Sequence, residues 1–198
     1  MNKILKLTLI LGVVGAISGG ALAAVYKVTG PVISAQDAKT LQAGLSEVFP
    51  GDYQFEGIDE EFELSDSVVK IDDAYIVKSN GGIIGLVLQV TSPGSQAPIK
   101  LLVGTKKDGT VSGVKILESL ETPGLGANAS NSDYYVEKEN KITFLGQFKG
   151  KKFSDNFVPK EDVIAITGAT ITSTAVARGV KVAGRVAHNY FKEKEGSG

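Results

Sequence analysis

The sequence predicts an α+β protein: a single N-terminal transmembrane helix followed by one domain whose mainly antiparallel sheet is packed by helices. Three observations carry that expectation. Residues 7–26 contain no charged side chain and are almost wholly apolar. The pairs Asn80-Gly81 and Asp108-Gly109 each separate two β-rich segments, which is the strongest short-range hairpin signal. Near the C-terminus Val176, Val180, Ala183, Ala187 and Tyr190 recur at steps of three and four, the stripe of a helix packed on one side. The chain therefore divides into an anchor over residues 1–30, an extracytoplasmic domain over 31–195, and residues 196–198, whose Gly-Ser-Gly composition reads as an appended tail.

The elements follow in order. At helical rise, residues 7–26 are long enough to cross a hydrocarbon core about 30 Å thick. Lys3 and Lys6 precede the run and favour a cytoplasmic N-terminus, with Tyr26 and Lys27 placed as interfacial anchors. Ala21-Leu22-Ala23 also fits a signal-peptide cleavage site, but the run is long for such a segment. The expectation is a retained, single-pass anchor in the cytoplasmic (inner) membrane; either reading exports the rest. Ser34 is expected to cap a helix carrying Ala38, Leu41, Leu45, Val48 and Phe49 on one face, ended by Pro50-Gly51. Residues 52–67, acidic at Asp59, Glu60, Glu61 and Glu63, read as a solvated loop.

Strands are expected over 74–78 and 82–91, and again over 99–104 and 111–117, with a loop at 92–95. Glu121-Thr122-Pro123-Gly124-Leu125-Gly126 has the proline and glycines of a tight, shaped loop. Leu125 needs something to cover there: the domain's own core or a flat ligand. Residues 127–141 read as polar helix or loop, and 142–148 as a short apolar segment. Lys149, Lys151 and Lys152 are either a solvated turn or neighbours of a phosphate. The last helix is expected from about Thr172 to Glu193, with His188 packed beside its stripe rather than catalytic.

Composition excludes much chemistry. The chain has no cysteine, which removes disulfides, iron–sulfur clusters and thiolate-bound metals. Its only histidine is His188 and its only methionine is the first residue, so haem, blue-copper and His-zinc centres are not expected and no metal site is assigned. Any redox role needs an organic cofactor. A net charge of −1 offers no basic surface for nucleic acid. No phosphate loop with Lys-Ser/Thr and no nucleophile–His–Asp set is present, so no catalytic residue is assigned.

The most informative segment is Ile166-Thr167-Gly168-Ala169-Thr170-Ile171-Thr172-Ser173-Thr174, at the start of the last helix. A helix start offers unpaired backbone N–H groups and the positive end of a dipole, which suits a phosphate. Gly168 lets the backbone approach a ligand closely. A hydroxyl there is also able to hold a phosphate covalently. On spacing alone the segment is equally a Ser/Thr-rich helix cap with no ligand.

The order of these features resembles the flavin-bearing G subunit of the Rnf electron-transport complex, with the C subunit of the sodium-pumping NADH:quinone reductase as a close relative. The resemblance rests on the N-terminal anchor, the Gly-rich strand pair with its Asp-Gly hairpin, and Glu121-Thr122-Pro123-Gly124-Leu125-Gly126. It continues through Phe144-Leu145-Gly146-Gln147-Phe148-Lys149-Gly150-Lys151 to Thr167-Gly168-Ala169-Thr170. It implies FMN joined by a phosphoester to the Thr170 hydroxyl, installed from FAD by a separate, metal-dependent flavin transferase. Thr167, Gly168, Ala169 and Thr172 would then surround the phosphate, and the chemistry of a helix start agrees, its free N–H groups meeting the remaining oxygens with Thr172, Ser173 and Thr174 as extra donors. Glu121, Thr122, Gly124 and Leu125 would lie by the flavin ring.

By the same resemblance the chain is a redox carrier within an oxidoreductase that moves electrons between ferredoxin and NAD and translocates Na⁺ or H⁺. Its partners would be the other membrane subunits. It would not bind NAD itself, because it lacks a Gly-x-Gly-x-x-Gly turn in a βαβ setting. The compact domain favours the Rnf subunit over the quinone-reductase relative. A stand-alone extracytoplasmic flavoprotein reductase and a non-redox scaffold are the alternatives. One departure stands out: the transferase pattern has an Asp six residues before the acceptor, where this chain has Ile164, with Asp162 two residues earlier.

Overall fold

A computed structural model describes residues 2–64 and 66–196 and resolves the chain into two compact units, one ending at residue 42 and one beginning at residue 43. Ser197 and Gly198, most of the expected tail, lie outside the described residues.

The first unit is helical. It belongs to α1 (Lys3–Val48), among the described residues the one helix long and apolar enough to cross a membrane. Its apolar side chains are exposed, Leu7, Leu11, Ile17 and Leu22 among them, as a lipid-facing surface requires. The structure corrects one expectation here. Ser34 caps nothing: α1 runs unbroken through Pro31, and the Ser34 hydroxyl donates to the Gly30 carbonyl one turn back at 3.1 Å. Pro31 removes the N–H that would bond the Lys27 carbonyl, and in the turn before it the Thr29 hydroxyl donates to the Val25 carbonyl at 3.0 Å.

The second unit is built on a five-stranded antiparallel sheet in the order of the chain: β1 (Gln54–Ile58), β2 (Lys70–Ser79), β3 (Gly82–Pro93), β4 (Pro98–Lys106) and β5 (Val111–Glu118). The two hairpin signals behave as their residues demand. Asn80 and Gly81 both take positive φ (49° and 80°), the geometry of a two-residue turn matched to strand twist. At the second turn the Asp108 carboxylate accepts from the Thr110 amide (2.9 Å) and hydroxyl (2.6 Å). These bonds and the neighbouring Lys106 and Lys152 hold the Asp108 pKa below the usual carboxylate range.

The acidic stretch 52–67 is not all loop. It contains β1, which pairs Gln54 with Lys78 through Ile58 with Ala74. As the outer strand it buries none of its residues fully, so no apolar alternation marks it. The loop expected at 92–95 is likewise shortened, because β3 continues to Pro93 and pairs there with Pro98.

Both faces of the sheet are covered. Leu86, Leu88 and Val90 of β3 and Leu101 and Val103 of β4 share a core with α2 (Thr170–Gly196), whose Val176, Val180, Ala183, Ala187 and Tyr190 are all buried. α2 begins at Thr170, two residues earlier than expected. On the other face the end of α1 settles onto glycines. A Cβ on Gly104 or Gly113 would lie 2.8 Å from the Val48 carbonyl oxygen, and Ser112 donates to that same oxygen at 2.6 Å.

Residues 127–148 form short pieces. A 3-10 turn (Gly126–Ser130) is followed by a small hairpin of β6 (Tyr135–Glu137) and β7 (Ile142–Thr143), then a second 3-10 turn (Gly146–Phe148). Phe144 and Phe148 anchor the last of these in the core.

Candidate functional site

The start of α2 is a built turn. The Ala169 amide donates to the Ile166 carbonyl at 3.0 Å, and Gly168 adopts φ 77°, a left-handed conformation that disfavours any side chain. The first helical bond runs from the Ser173 amide to the Ala169 carbonyl at 3.0 Å. The amides of Thr170, Ile171 and Thr172 therefore precede the helix's own ladder and form its electropositive end. Ser173 locks the turn from inside: its hydroxyl accepts from the Ile166 amide (3.0 Å) and donates to the Ala169 carbonyl (2.9 Å). Thr170, the first helical residue, is exposed.

The loop 121–126 lies directly against this turn. A Cβ placed on Gly168 would lie 3.0 Å from Leu125 Cδ2, the one atom near it. The Leu125 and Ala127 amides both donate to the Thr122 carbonyl at 3.1 Å, and Asn128 Nδ2 donates to the Gly124 carbonyl at 2.9 Å. Gly124 supplies the positive φ (76°) that the turn needs. Leu125 is left 44% exposed, so it does not plug the domain's own core.

Glu121 points inward. It is 7% exposed; its Oε1 accepts from the Ser95 and Gln96 amides at 2.8 and 3.2 Å, and its Oε2 accepts from the Thr172 hydroxyl at 2.6 Å. Thr172 is 1% exposed. The three hydroxyls expected to serve an anion are thus directed to protein acceptors: Thr172 to Glu121, Ser173 to Ala169, and Thr174 to the Thr170 carbonyl at 2.8 Å. Donors for a phosphate here are backbone amides, not these side chains. Glu121 and Thr172 sit behind the surface, while Thr122, Gly124, Leu125, Thr167, Gly168 and Thr170 are exposed on it and Ala169 is buried between.

Beside Thr170 opens a pocket of about 570 Å³ lined by residues 160–168 and Thr170. Two side chains hold its wall. Gln147 clasps the Ile164 backbone from both sides, its Oε1 accepting from the amide at 2.7 Å and its Nε2 donating to the carbonyl at 3.1 Å. The Asp162 carboxylate accepts from the Phe157 and Val158 amides at 2.9 and 2.7 Å and pairs with Lys151 at 3.4 Å. Burial pushes its pKa up, but the two amides and the Lys151 ammonium outweigh burial and hold it below the usual carboxylate range. These bonds support Phe157, whose φ of 53° is unfavourable for an aromatic residue. Ile164 itself is exposed on the wall.

The structure brings the two sequence-predicted segments, 121–126 and 167–172, side by side. Three supports have no signal in the local sequence: the 95–96 amides, Gln147, and the engagement of Asp162. Gln147 lies inside the stretch 144–151, but nothing near it marks it as a partner of Ile164. Lys151 is committed to Asp162 rather than free. His188 stacks on Phe153, with ring centroids 3.9 Å apart and planes 12° from parallel, as a packed histidine.

Comparison with known proteins bears on this site. Residues 94–184, which include both segments, match the family model described as FMN-binding domain; residues 1–48 match the RnfG N-terminal region. The chain is 34% identical to the G subunit of the Na⁺-translocating ferredoxin:NAD⁺ oxidoreductase complex of Acetobacterium woodii, over 96% of this chain and 94% of that one. It is 36% identical to the G subunit of the proton-translocating ferredoxin:NAD⁺ oxidoreductase complex of Clostridium ljungdahlii, over 92% and 90%. Among solved structures, NqrC of Shewanella oneidensis is similar at 19% identity with a TM-score of 0.49, over 78% of this chain and 73% of that one.

Proposed function

This chain belongs to the G-subunit family of the ion-translocating ferredoxin:NAD⁺ oxidoreductase (Rnf) complexes, and from that premise we propose that it carries FMN covalently on Thr170 as an electron-relay subunit of such a complex. The observation that carries the reading is the position of Thr170: an exposed threonine as the first residue of a helix, at the edge of a pocket, beside a glycine whose φ of 77° holds the turn open. The residues present fit a phosphoryl group. Thr170 would supply the ester oxygen, and the amides at the helix start would meet the remaining oxygens. Leu125 would give the ring an apolar contact, with Thr122 and the backbone at Gly124 near its polar edge.

In a transfer from FAD, Thr170 would supply the oxygen that bonds the phosphorus of the FMN half as the pyrophosphate bond breaks; AMP would leave, and the hydroxyl proton would pass to the transferase or water. Bound flavin supplies one- or two-electron chemistry; this chain's residues hold and orient it and limit water around it. No side chain here is required as general acid or base. Partners are the other membrane subunits, with the flavin transferase needed for maturation. Lys3 and Lys6 support a cytoplasmic N-terminus and an extracytoplasmic domain. The proposal covers either coupling ion: relatives of similar identity are named for Na⁺ in one case and for protons in the other.

The test is in-gel fluorescence. The full chain is produced with a flavin transferase in an exporting host and run on a denaturing gel. A fluorescent band that Thr170→Ala abolishes is expected. A dark wild-type band with unmodified mass would reject the flavoprotein reading and favour the scaffold alternative. Reduction of small acceptors by the purified chain alone, at rates comparable to an enzyme, would favour a stand-alone reductase.

A further inference from the structure

We infer that Glu121 is a positioning residue: acting through the Thr172 hydroxyl, it fixes the Leu125 loop against the Thr170 helix start, and so sets the geometry of the flavin site. The inference rests on the flavin reading above for its function, but its geometry stands independently. One buried carboxylate joins three segments that are far apart in sequence: the turn after β3 through the Ser95 and Gln96 amides, the loop that Glu121 itself begins, and the first turn of α2 through Thr172. Two glycines make room for it. A Cβ on Gly94 would come within 2.4 Å of Glu121 Oε1, and one on Gly126 within 2.6 Å of both Glu121 Oε2 and Thr172 Oγ1.

The chemistry argues for purpose beyond filling space. A carboxylate at the first turn of a helix is favoured by the dipole, and a buried one must satisfy its oxygens. Glu121 does so only when all three segments are in register. Leu125 and Thr170 both ride on backbone that these bonds fix.

The test uses the full chain in detergent, as wild type and as Thr172→Val, Thr172→Ser and Glu121→Ala. Valine keeps the shape of threonine without the hydroxyl; serine keeps the hydroxyl. Amide exchange of the protein made without transferase reads the geometry with no flavin present. Thr172→Val should speed exchange of the Leu125 and Ala127 amides about tenfold or more, the loss of a hydrogen bond to a charged acceptor. Thr172→Ser should restore at least half of the protection, and Glu121→Ala should match or exceed the valine effect. With transferase, Thr172→Val and Glu121→Ala should lower flavin attachment several-fold and change the visible circular dichroism of whatever flavin is attached, with Thr172→Ser recovering both. Unchanged Leu125 and Ala127 exchange in Thr172→Val, or no recovery in serine, would overturn the inference. A dark wild type with the exchange pattern as described would retain the positioning geometry and reject the flavin reading alone.

Discussion

Gly168→Ala separates backbone strain from ligand geometry at the heart of the site. Gly168 has φ 77°, and an alanine there costs about 1–2 kcal/mol for the left-handed backbone. The new Cβ would also meet Leu125 Cδ2 at 3.0 Å. That atom is the end of an exposed side chain, so Leu125 yields by shifting its rotamer at about 0.5–1 kcal/mol. The sum is about 2 kcal/mol, which for a chain of this size lowers the melting temperature by roughly 4–8 °C and leaves the domain folded. Gly81→Ala is the control: φ is 80°, nothing lies within 4 Å, and the turn is the hairpin tip between β2 and β3. It should cost about 1–2 kcal/mol from backbone alone. Melting followed by circular dichroism in detergent gives the stabilities, and intact mass after co-production with transferase gives the flavin-bearing fraction. Both variants should melt early, and only Gly168→Ala should lose flavin. Equal flavin loading in the two, or a Gly168→Ala chain as stable as wild type, would refute the reasoning.

Two further predictions concern the pocket wall. Asp162→Ala removes the acceptor for two amides beside a strained Phe157 and should cost about 2 kcal/mol at neutral pH, read by melting. Because the folded pKa of Asp162 is depressed, its contribution is present above the unfolded value near about 4 and is lost as pH falls through the lower folded value. Wild type and Asp162→Ala should therefore converge in stability under strongly acidic conditions; a constant gap down to that range would contradict the assignment. Ile164→Asp restores an acid six residues before Thr170 on an exposed side chain whose backbone Gln147 already holds. It should raise the initial rate of flavin attachment, timed by band fluorescence, and an unchanged or lower rate would show that the transferase does not read this position.

Much of the fold is legible in the sequence because its signals are local. Asn80-Gly81 and Asp108-Gly109 each dictate a turn within two residues, and the α2 stripe needs only one helix to be seen. What escapes a sequence reading depends on distance or on the absence of an apolar face. β1 is an outer strand with no fully buried residue, and its ladder is made with residues about twenty positions later. Ser34 has the residue type of a helix cap, but α1 runs on through it and its hydroxyl bonds back to the Gly30 carbonyl, so residue type alone misplaces the helix start. At the site, motif order singles out Thr170 and Leu125, whereas the Thr172–Glu121 bond spans 51 residues and leaves no local trace. That bond also explains why a cluster of hydroxyls overstates the donors open to a ligand: buried hydroxyls find protein partners first.

The central claim concerns one oxygen, the Thr170 hydroxyl. The most direct measurement is peptide mass mapping of the full chain after co-production with a flavin transferase in an exporting host. A phosphoryl-FMN adduct localised by fragmentation to Thr170, and absent from Thr170→Ala, is the predicted result. An adduct on Thr167, Thr172, Ser173 or Thr174, or an unmodified peptide across residues 165–178 in protein from a host whose transferase labels a control substrate, would contradict it.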